Sequence, residues 1–122
     1  MAVYDSASYM DPRLDQLVVY TAVLEHLLKQ KIHYEEERDM ELLRLERFKC
    51  EGANEYRLHV QEQVVKKVQA MLPSIVFKVR NEYDKLDRFL HAQEALKLLN
   101  AKLFEKGLEL LRACEDDLKR TL

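Results

Sequence analysis

The chain has few of the residues that interrupt regular structure. Its 122 residues include two glycines, two prolines and no tryptophan. Sheet proteins with many tight turns need glycine and proline far more often, so this shortage argues against an all-β fold. Charged residues, in contrast, make up 34% of the chain. This composition favours a few long helices with charged outer faces.

Other shortages argue against whole classes of protein. The formal net charge is only −2, so no overall positive field favours nucleic acid. No apolar run reaches the ~18 residues of a membrane-spanning helix. Met1–Met10 lacks a basic start and an apolar core, so we expect no signal peptide. With no sign of secretion, we expect both cysteines to be thiols in a reducing compartment.

We find no pattern typical of an active site or a metal site. No histidine has a glutamate three positions before it, as metal sites in helical bundles require. His33 and Glu37 lie one helical turn apart, but two ligands indicate a solvated face rather than a metal site. Cys50 and Cys114 fall at different heights in a bundle, too far apart for a disulfide. We therefore expect no enzyme, no metal and no cofactor.

The first helix is predicted over residues 12–49. Asp11 can cap its free N–H groups, and Pro12 suits the first helical turn. No glycine or proline follows before Cys50. The inward positions at heptad spacing are Leu17, Tyr20, Leu24, Leu27, Lys31, Tyr34, Arg38, Leu45 and Phe48, flanked by Leu14, Thr21, Leu28, Ile32 and Leu42.

Polar residues occupy the middle of this seam, where Lys31, Glu35 and Arg38 replace apolar side chains. We favour the interpretation that their long stems cover the core while their charged heads reach water. The alternative is a polar surface kept for a partner. The acidic stretch Glu35–Asp39 is interpreted in the same way, as a solvated helix face.

A second helix is predicted over residues 54–90, after a turn in which Gly52 takes a left-handed conformation and Asn54 caps the helix. Pro73 interrupts the helix, but the apolar register continues through it, so we expect a bend there. The seam consists of Leu58, Val65, Val68, Leu72, Ile75, Val79, Leu86 and Phe89, widened by Val64, Met71, Val76, Tyr83 and Leu90.

A third helix is predicted over residues 95–120, after a turn at His91–Glu94 where the apolar stripe restarts. One stripe contains Leu96, Leu99, Leu103 and Leu110, and a second contains Phe104, Leu111, Cys114 and Leu118, with Gly107 among them at a point of close packing. The predicted fold is an all-α antiparallel three-helix bundle over residues 11–122, with residues 1–10 as a flexible extension.

The sequence resembles the tubulin-specific chaperone A family, also called the tubulin-binding cofactor A family, between Asp11 and Leu90. The spacing from Asp11 to Tyr34, Tyr56, Pro73 and Tyr83 fits the family without a gap, although Gly52 and Asn54 sit one place early. Met1–Met10 lies before the family's usual start, and the last helix has a different charge pattern. The residues that carry the resemblance are Asp11-Pro12-Arg13, Thr21, Leu27, Tyr34, Gly52, Asn54, Tyr56, Met71-Leu72-Pro73, Tyr83, Leu86 and Arg88-Phe89-Leu90.

The resemblance implies a three-helix bundle that is a chaperone and not an enzyme. It would capture folding intermediates of β-tubulin after the chaperonin releases them and pass them to another tubulin-folding cofactor for assembly with α-tubulin. It would act in the cytoplasm, with the microtubule cytoskeleton, as a monomer or less favourably a dimer. The alternative from the residues alone is a self-associating coiled-coil scaffold.

The partner surface is expected to offer positive charge beside aromatic rings, since β-tubulin is expected to be acidic and, when partly folded, to expose apolar surface. The second helix supplies the candidates. Four of them, Lys67, Lys78, Lys85 and Arg88, avoid the seam positions and should lie outward, and Lys66 and Arg80 flank the seam. Solvation of an outer helix face is the simpler interpretation of the same residues, which are Lys66, Lys67, Lys78, Arg80, Lys85 and Arg88.

Overall fold

A computed structural model describes residues 11–121, and the extension predicted for residues 1–10 lies outside the described residues. Four helices account for most of the described chain, and residues 11–121 contain no strand, which confirms the all-α class. The helices are α1 at Pro12–Cys50, α2 at Glu55–Ala92, α3 at Leu96–Leu99 and α4 at Ala101–Thr121.

The start of α1 is fixed by the predicted cap. The Asp11 carboxylate accepts a hydrogen bond from the backbone N–H of Arg13 at 3.0 Å, and Pro12 occupies the first helical position. The Arg13 guanidinium also donates to this carboxylate, at 2.7 Å, and this side-chain bond lowers the pKa of Asp11 below its ordinary value. The guanidinium of Arg13 also donates a hydrogen bond to the Gln93 side chain at 3.2 Å.

The turn between α1 and α2 forms as the sequence predicts. Gly52 has a φ of 71°, a conformation that costs glycine nothing. The N–H groups of Glu51 and Ala53 bond back to the carbonyls of Arg47 and Phe48, which closes the end of α1. The Asn54 side chain then accepts the N–H of Arg57 at 2.9 Å, so it caps α2.

The single third helix predicted over residues 95–120 was wrong, because the chain breaks at Asn100. This residue has φ −152° and ψ 87°, which is an extended conformation that ends α3 after one turn. Its side-chain oxygen accepts the N–H of Leu103 at 3.0 Å and so caps α4. The turn after α2 falls at residues 93–95, within two residues of its predicted position.

The chain divides into two compact units. The hairpin unit contains residues 29–77, and the terminal unit contains residues 11–28 together with 78–121. Three helices meet in the terminal unit at Gly107: a Cβ built there would lie 3.2 Å from Leu90 of α2 and 3.7 Å from Leu17 of α1. This confirms the close packing expected at this glycine, since a Cβ there would press against Leu90 and touch Leu17.

The terminal unit buries the second predicted stripe of the last helix better than the first. Phe104, Leu111 and Cys114 of α4 are buried, and Leu118 is half-buried. In the other stripe, Leu96 is buried, but Leu99 is exposed beside the break at Asn100. The expectation that Leu99 faces inward was therefore wrong, because α3 and α4 do not share one continuous helical register.

In the hairpin unit α1 and α2 pack through polar as well as apolar contacts. The Gln61 side chain is buried and donates to the backbone carbonyl of Glu41 at 2.9 Å. Arg57 of α2 lies over the ring of Phe48 of α1, with 4.2 Å between the guanidinium carbon and the ring centroid. The apolar part of this contact includes the buried residues Phe48, Val65, Val68 and Ile75.

Lys31 does not behave as the sequence suggested. Its side chain has 0% exposure, so the prediction that its charged head reaches water was wrong. The ammonium instead pairs with the Glu35 carboxylate at 3.0 Å, one turn further along α1. A buried charge is tolerated when it is paired, because its loss of hydration is then partly offset. Arg38 remains half-buried and pairs with Asp39 at the surface.

Some predicted flanking residues remain exposed. Ile32 and Leu42 of α1 and Met71 of α2 all lie among the exposed large apolar residues, so the expectation that Met71 widens the buried stripe was wrong. All three belong to the hairpin unit, which contains only two long helical segments. Two helices bury a narrower stripe than three, and flanking positions are therefore left in water.

The inward seam of α2 is tested by replacing Leu86 and Leu72 with alanine. Leu86 is fully buried, whereas Leu72 is half-buried. We expect Leu86→Ala to lower the free energy of unfolding by about 2–5 kcal/mol. Leu72→Ala should cost less, because part of its side chain stays in water when the protein is folded. Chemical denaturation measures both, and a loss below ~0.5 kcal/mol for Leu86→Ala, as for a surface change, would show that the register is wrong.

Candidate functional site

The six cationic residues predicted as a partner surface are all exposed. Lys66 and Lys67 belong to the hairpin unit, while Lys78, Arg80, Lys85 and Arg88 belong to the terminal unit. The prediction that the seam-avoiding members of this set lie outward is confirmed. Of the four in the terminal unit, Arg80 lines one depression, Lys85 and Arg88 line another, and Lys78 lines neither.

Lys85 and Arg88 line an open depression of about 430 Å³ together with the aromatic rings of Tyr20 and Phe89. The two rings meet edge to face with 5.2 Å between their centroids, a favourable geometry for an aromatic pair. Lys85 is held by Glu82 at 3.1 Å, and Arg88 donates to the carbonyl of Asp84 at 3.3 Å. The depression therefore combines cations with aromatic surface, as the sequence-based hypothesis required of a partner site.

Arg80 lies in a different depression, of about 400 Å³, on the side of α2 that meets α4. Its lining also includes Tyr83 and Asp84 of α2 and Glu115 and Lys119 of α4. Burial raises the pKa of the Tyr83 hydroxyl above its ordinary value, and the negative charges of Glu115 and Asp87 act in the same direction. Mixed charge at this depression makes it a weaker match to an acidic partner.

A third depression, of about 400 Å³, lies at the corner formed by α2, α3 and α4. Leu90, Phe104 and Leu108 form its apolar wall, and the exposed side chain of Leu98 lies at its edge. No sequence pattern predicts this depression, because it depends on the break at Asn100 that separates α3 from α4.

Exposed apolar residues on α2 are the features that sequence reasoning missed. Tyr56, Val60, Met71 and Phe77 are all substantially in water. Periodicity assigned Met71 to the buried stripe and left the others without a role. The only indication available from sequence was the residue type of Tyr56, Val60 and Phe77. Apolar and aromatic side chains at outward positions of a charged helix do not improve its solvation, so they indicate a contact surface.

Features relevant to other kinds of site are few in the described chain. His33 and Glu37 lie 3.9 Å apart on an exposed face. Residues 11–121 contain no group of three or more histidine, cysteine, aspartate or glutamate side chains placed to hold a metal ion. Cys50 is an exposed thiol and Cys114 a buried one. In the same range, no helix has a stretch long and apolar enough to cross a lipid bilayer.

Comparison with known proteins identifies one family. Residues 12–111 match the family model described as Tubulin binding cofactor A. The rat protein named Tubulin-specific chaperone A is 26% identical over 87 residues, which cover 71% of this chain and 81% of the rat protein. The human protein of the same name gives the same identity and coverage. The family match extends past Leu90 into α3 and α4, beyond the part of the chain that carries the resemblance noted from sequence.

A solved structure described as human tubulin chaperone cofactor a has the same fold. The two structures align with a TM-score of 0.76, and the alignment covers 85% of this chain and 99% of the other. Sequence identity in this alignment is 22%, so the likeness concerns the fold alone.

The raised pKa of Tyr83 predicts a loss of stability at alkaline pH. A folded-state pKa above the unfolded value, ordinarily 10.0, gives stability that is complete below pH 10.0 and is lost as pH rises through the folded pKa. We expect Tyr83→Phe to remove this part of the alkaline loss. Urea unfolding between neutral pH and about pH 11 measures it, with Tyr56→Phe, at an exposed tyrosine, as the matched control. Parallel pH profiles for wild type and Tyr83→Phe would contradict the prediction.

Proposed function

Because this chain belongs to the tubulin binding cofactor A family, we propose that it captures folding intermediates of β-tubulin after the chaperonin releases them. It then passes them on for assembly with α-tubulin. The family match over residues 12–111 carries this proposal. Relatives named Tubulin-specific chaperone A support it, because their matched region covers 81% of their own length.

The proposal includes the setting in which the protein acts. Its partners are β-tubulin and other tubulin-folding cofactors, and it works in the cytoplasm with the microtubule cytoskeleton. It is a binding protein rather than an enzyme, and it needs no cofactor. We propose a monomer as the working form, with a dimer or a self-associating coiled-coil scaffold as the alternative.

We also propose that α2 bends at Pro73, and that α1, α2 and α4 form a helical bundle within the terminal unit. Pro73 lies inside α2, which continues on both sides of it. The packing of three helices around Gly107 supports this arrangement for the terminal unit.

The surface of the protein suits a large protein client better than a small molecule. Its depressions are open and shallow, whereas small-molecule sites are concave and bury most of the ligand. A partly folded client offers apolar side chains and, if acidic, carboxylates. The depression at Tyr20, Lys85, Arg88 and Phe89 supplies the complementary surface for both.

Capture of β-tubulin tests the proposed function directly. β-Tubulin is denatured, diluted into buffer containing the purified protein, and analysed by size-exclusion chromatography beside native α/β dimer. We expect the protein to co-elute with the diluted β-tubulin and not with the native dimer. Elution of the protein alone in both cases, or as a larger species of itself, would contradict the proposal and favour the self-associating scaffold.

The cationic surface, with Lys66, Lys67, Lys78, Arg80, Lys85 and Arg88 as its candidates, is tested by charge reversal. Lys67, Lys78 and Lys85 are changed together to glutamate. If each takes part in one surface ion pair worth about 0.5 kcal/mol, we expect roughly tenfold weaker binding at low salt. The salt dependence of binding should also become flatter, since fewer attractive charges remain to be screened.

The control for this experiment changes three other exposed lysines, Lys49, Lys97 and Lys106, to glutamate, with the same change in net charge. Circular dichroism first confirms that both triple variants are helical. Equal affinity and an equal salt slope in the Lys67, Lys78 and Lys85 variant and the wild type would contradict the hypothesis. They would direct attention to the acidic stretch Glu35–Asp39 of α1.

A further inference from the structure

One side of α2 in the hairpin unit carries a row of apolar side chains that are not fully buried in the core. Tyr56 is 79% exposed, Val60 44% and Met71 45%, and Val64 is half-buried. Their spacing of three or four residues, with Lys67 completing the row, places them on one helix face. We name this row the α2 stripe, consisting of Tyr56, Val60, Val64, Lys67 and Met71.

The composition of the stripe is not explained by stability. Valine is a weaker helix former than the residues usual at exposed positions, and exposed apolar surface contributes little to folding. The residues of α2 that contact α1 lie on another face, where Gln61 donates to Glu41 and Arg57 covers Phe48. Several exposed apolar residues on one face of a charged helix are typical of a surface that meets another protein.

The charge of the stripe indicates the chemistry of its partner. Lys67 is its one charged member, and Lys66 lies beside it. The side chain of Lys67 is exposed. The acidic residues of α2 nearest to the stripe in sequence are Glu55 and Glu62. Glu62 lies two positions after Val60, which places it on nearly the opposite side of the helix from Val60. The stripe is therefore apolar and positive, and its complement is apolar and negative.

We propose that the α2 stripe binds an amphipathic segment of the client in which apolar side chains are flanked by carboxylates. The inference rests on the proposed function, because it takes the client to be partly folded β-tubulin. From Tyr56 to Met71 the stripe extends about 22 Å, the length of a helix of four turns. An amphipathic helix of that length presents side chains at the same spacing of three and four residues. A client that has not yet buried such a helix exposes it to the stripe.

The test removes apolar surface from the stripe without adding charge. The stripe variant carries Val60→Gln and Met71→Gln. Its matched control carries Met40→Gln and Leu43→Gln on α1 of the same unit, at side chains that are 64% and 71% exposed. Glutamine is a good helix former, so both double variants are expected to fold, and circular dichroism with urea unfolding checks this. The probe is denatured β-tubulin diluted into buffer containing each protein, and the measurement is the concentration that captures half of it.

We expect the stripe variant to need at least tenfold more protein for half-capture, and the control to remain within twofold of wild type. The loss should persist at moderate salt, because buried apolar surface is not screened. A single Lys67→Glu change should weaken capture mainly at low salt. This second variant keeps its apolar residues, so it tests the stripe even if the double variant folds poorly.

The possible failures are distinguishable. If wild type captures no β-tubulin, the proposed function fails and the inference falls with it. If wild type captures β-tubulin and the stripe variant captures it equally well, the inference alone is overturned. If the control variant loses as much capture of β-tubulin as the stripe variant does, the contact is not specific to the stripe. The inference is then overturned, while the proposed function stands.

Discussion

Burial of one apolar face of α2 is the constraint on which the rest of the structure depends. Val65 and Val68 of this face are buried in the hairpin unit. Val79, Leu86 and Leu90 are buried in the terminal unit. Because apolar burial is the main favourable term in folding, this face determines which residues of α1 and α4 must also turn inward. It equally determines which faces of α2 remain available for a partner.

Features set by local chemistry were predictable from the sequence. Asp11 and Asn54 cap their helices, and Gly52 takes its left-handed conformation, because each depends on a few neighbouring residues. The break at Asn100 was missed although it follows the same rule. The apolar stripe continues past it, although the Asn100 side chain caps α4 there. A continuous apolar period can therefore conceal a capping residue that ends a helix.

Features that depend on how helices pack were not predictable in the same way. Lys31 was expected to reach water, but it is buried and paired with Glu35. Met71 was expected to be buried, but the hairpin unit leaves it exposed. The cations of α2 were correctly placed outward, yet the sequence could not tell that Lys85 and Arg88 lie beside the Tyr20–Phe89 ring pair. Contacts between distant parts of the chain decide all three cases.

The candidate surfaces share a physical character in both units. In the terminal unit, cations lie beside two aromatic rings, and in the hairpin unit, lysines accompany exposed valine, tyrosine and methionine. An incompletely folded acidic protein needs a partner that covers its apolar surface without competing for its native core contacts. Positive charge increases the rate of encounter, and apolar contact slows dissociation.

Site-specific photo-crosslinking tests most directly whether α2 binds the client protein. A photoreactive residue is placed singly at position 60 or 71 of α2, or at position 43 of α1 as the control, and each protein is mixed with denatured and diluted β-tubulin. We expect covalent products with β-tubulin from positions 60 and 71, and little or none from position 43. Products from position 43 alone would contradict the assignment of the binding surface to α2.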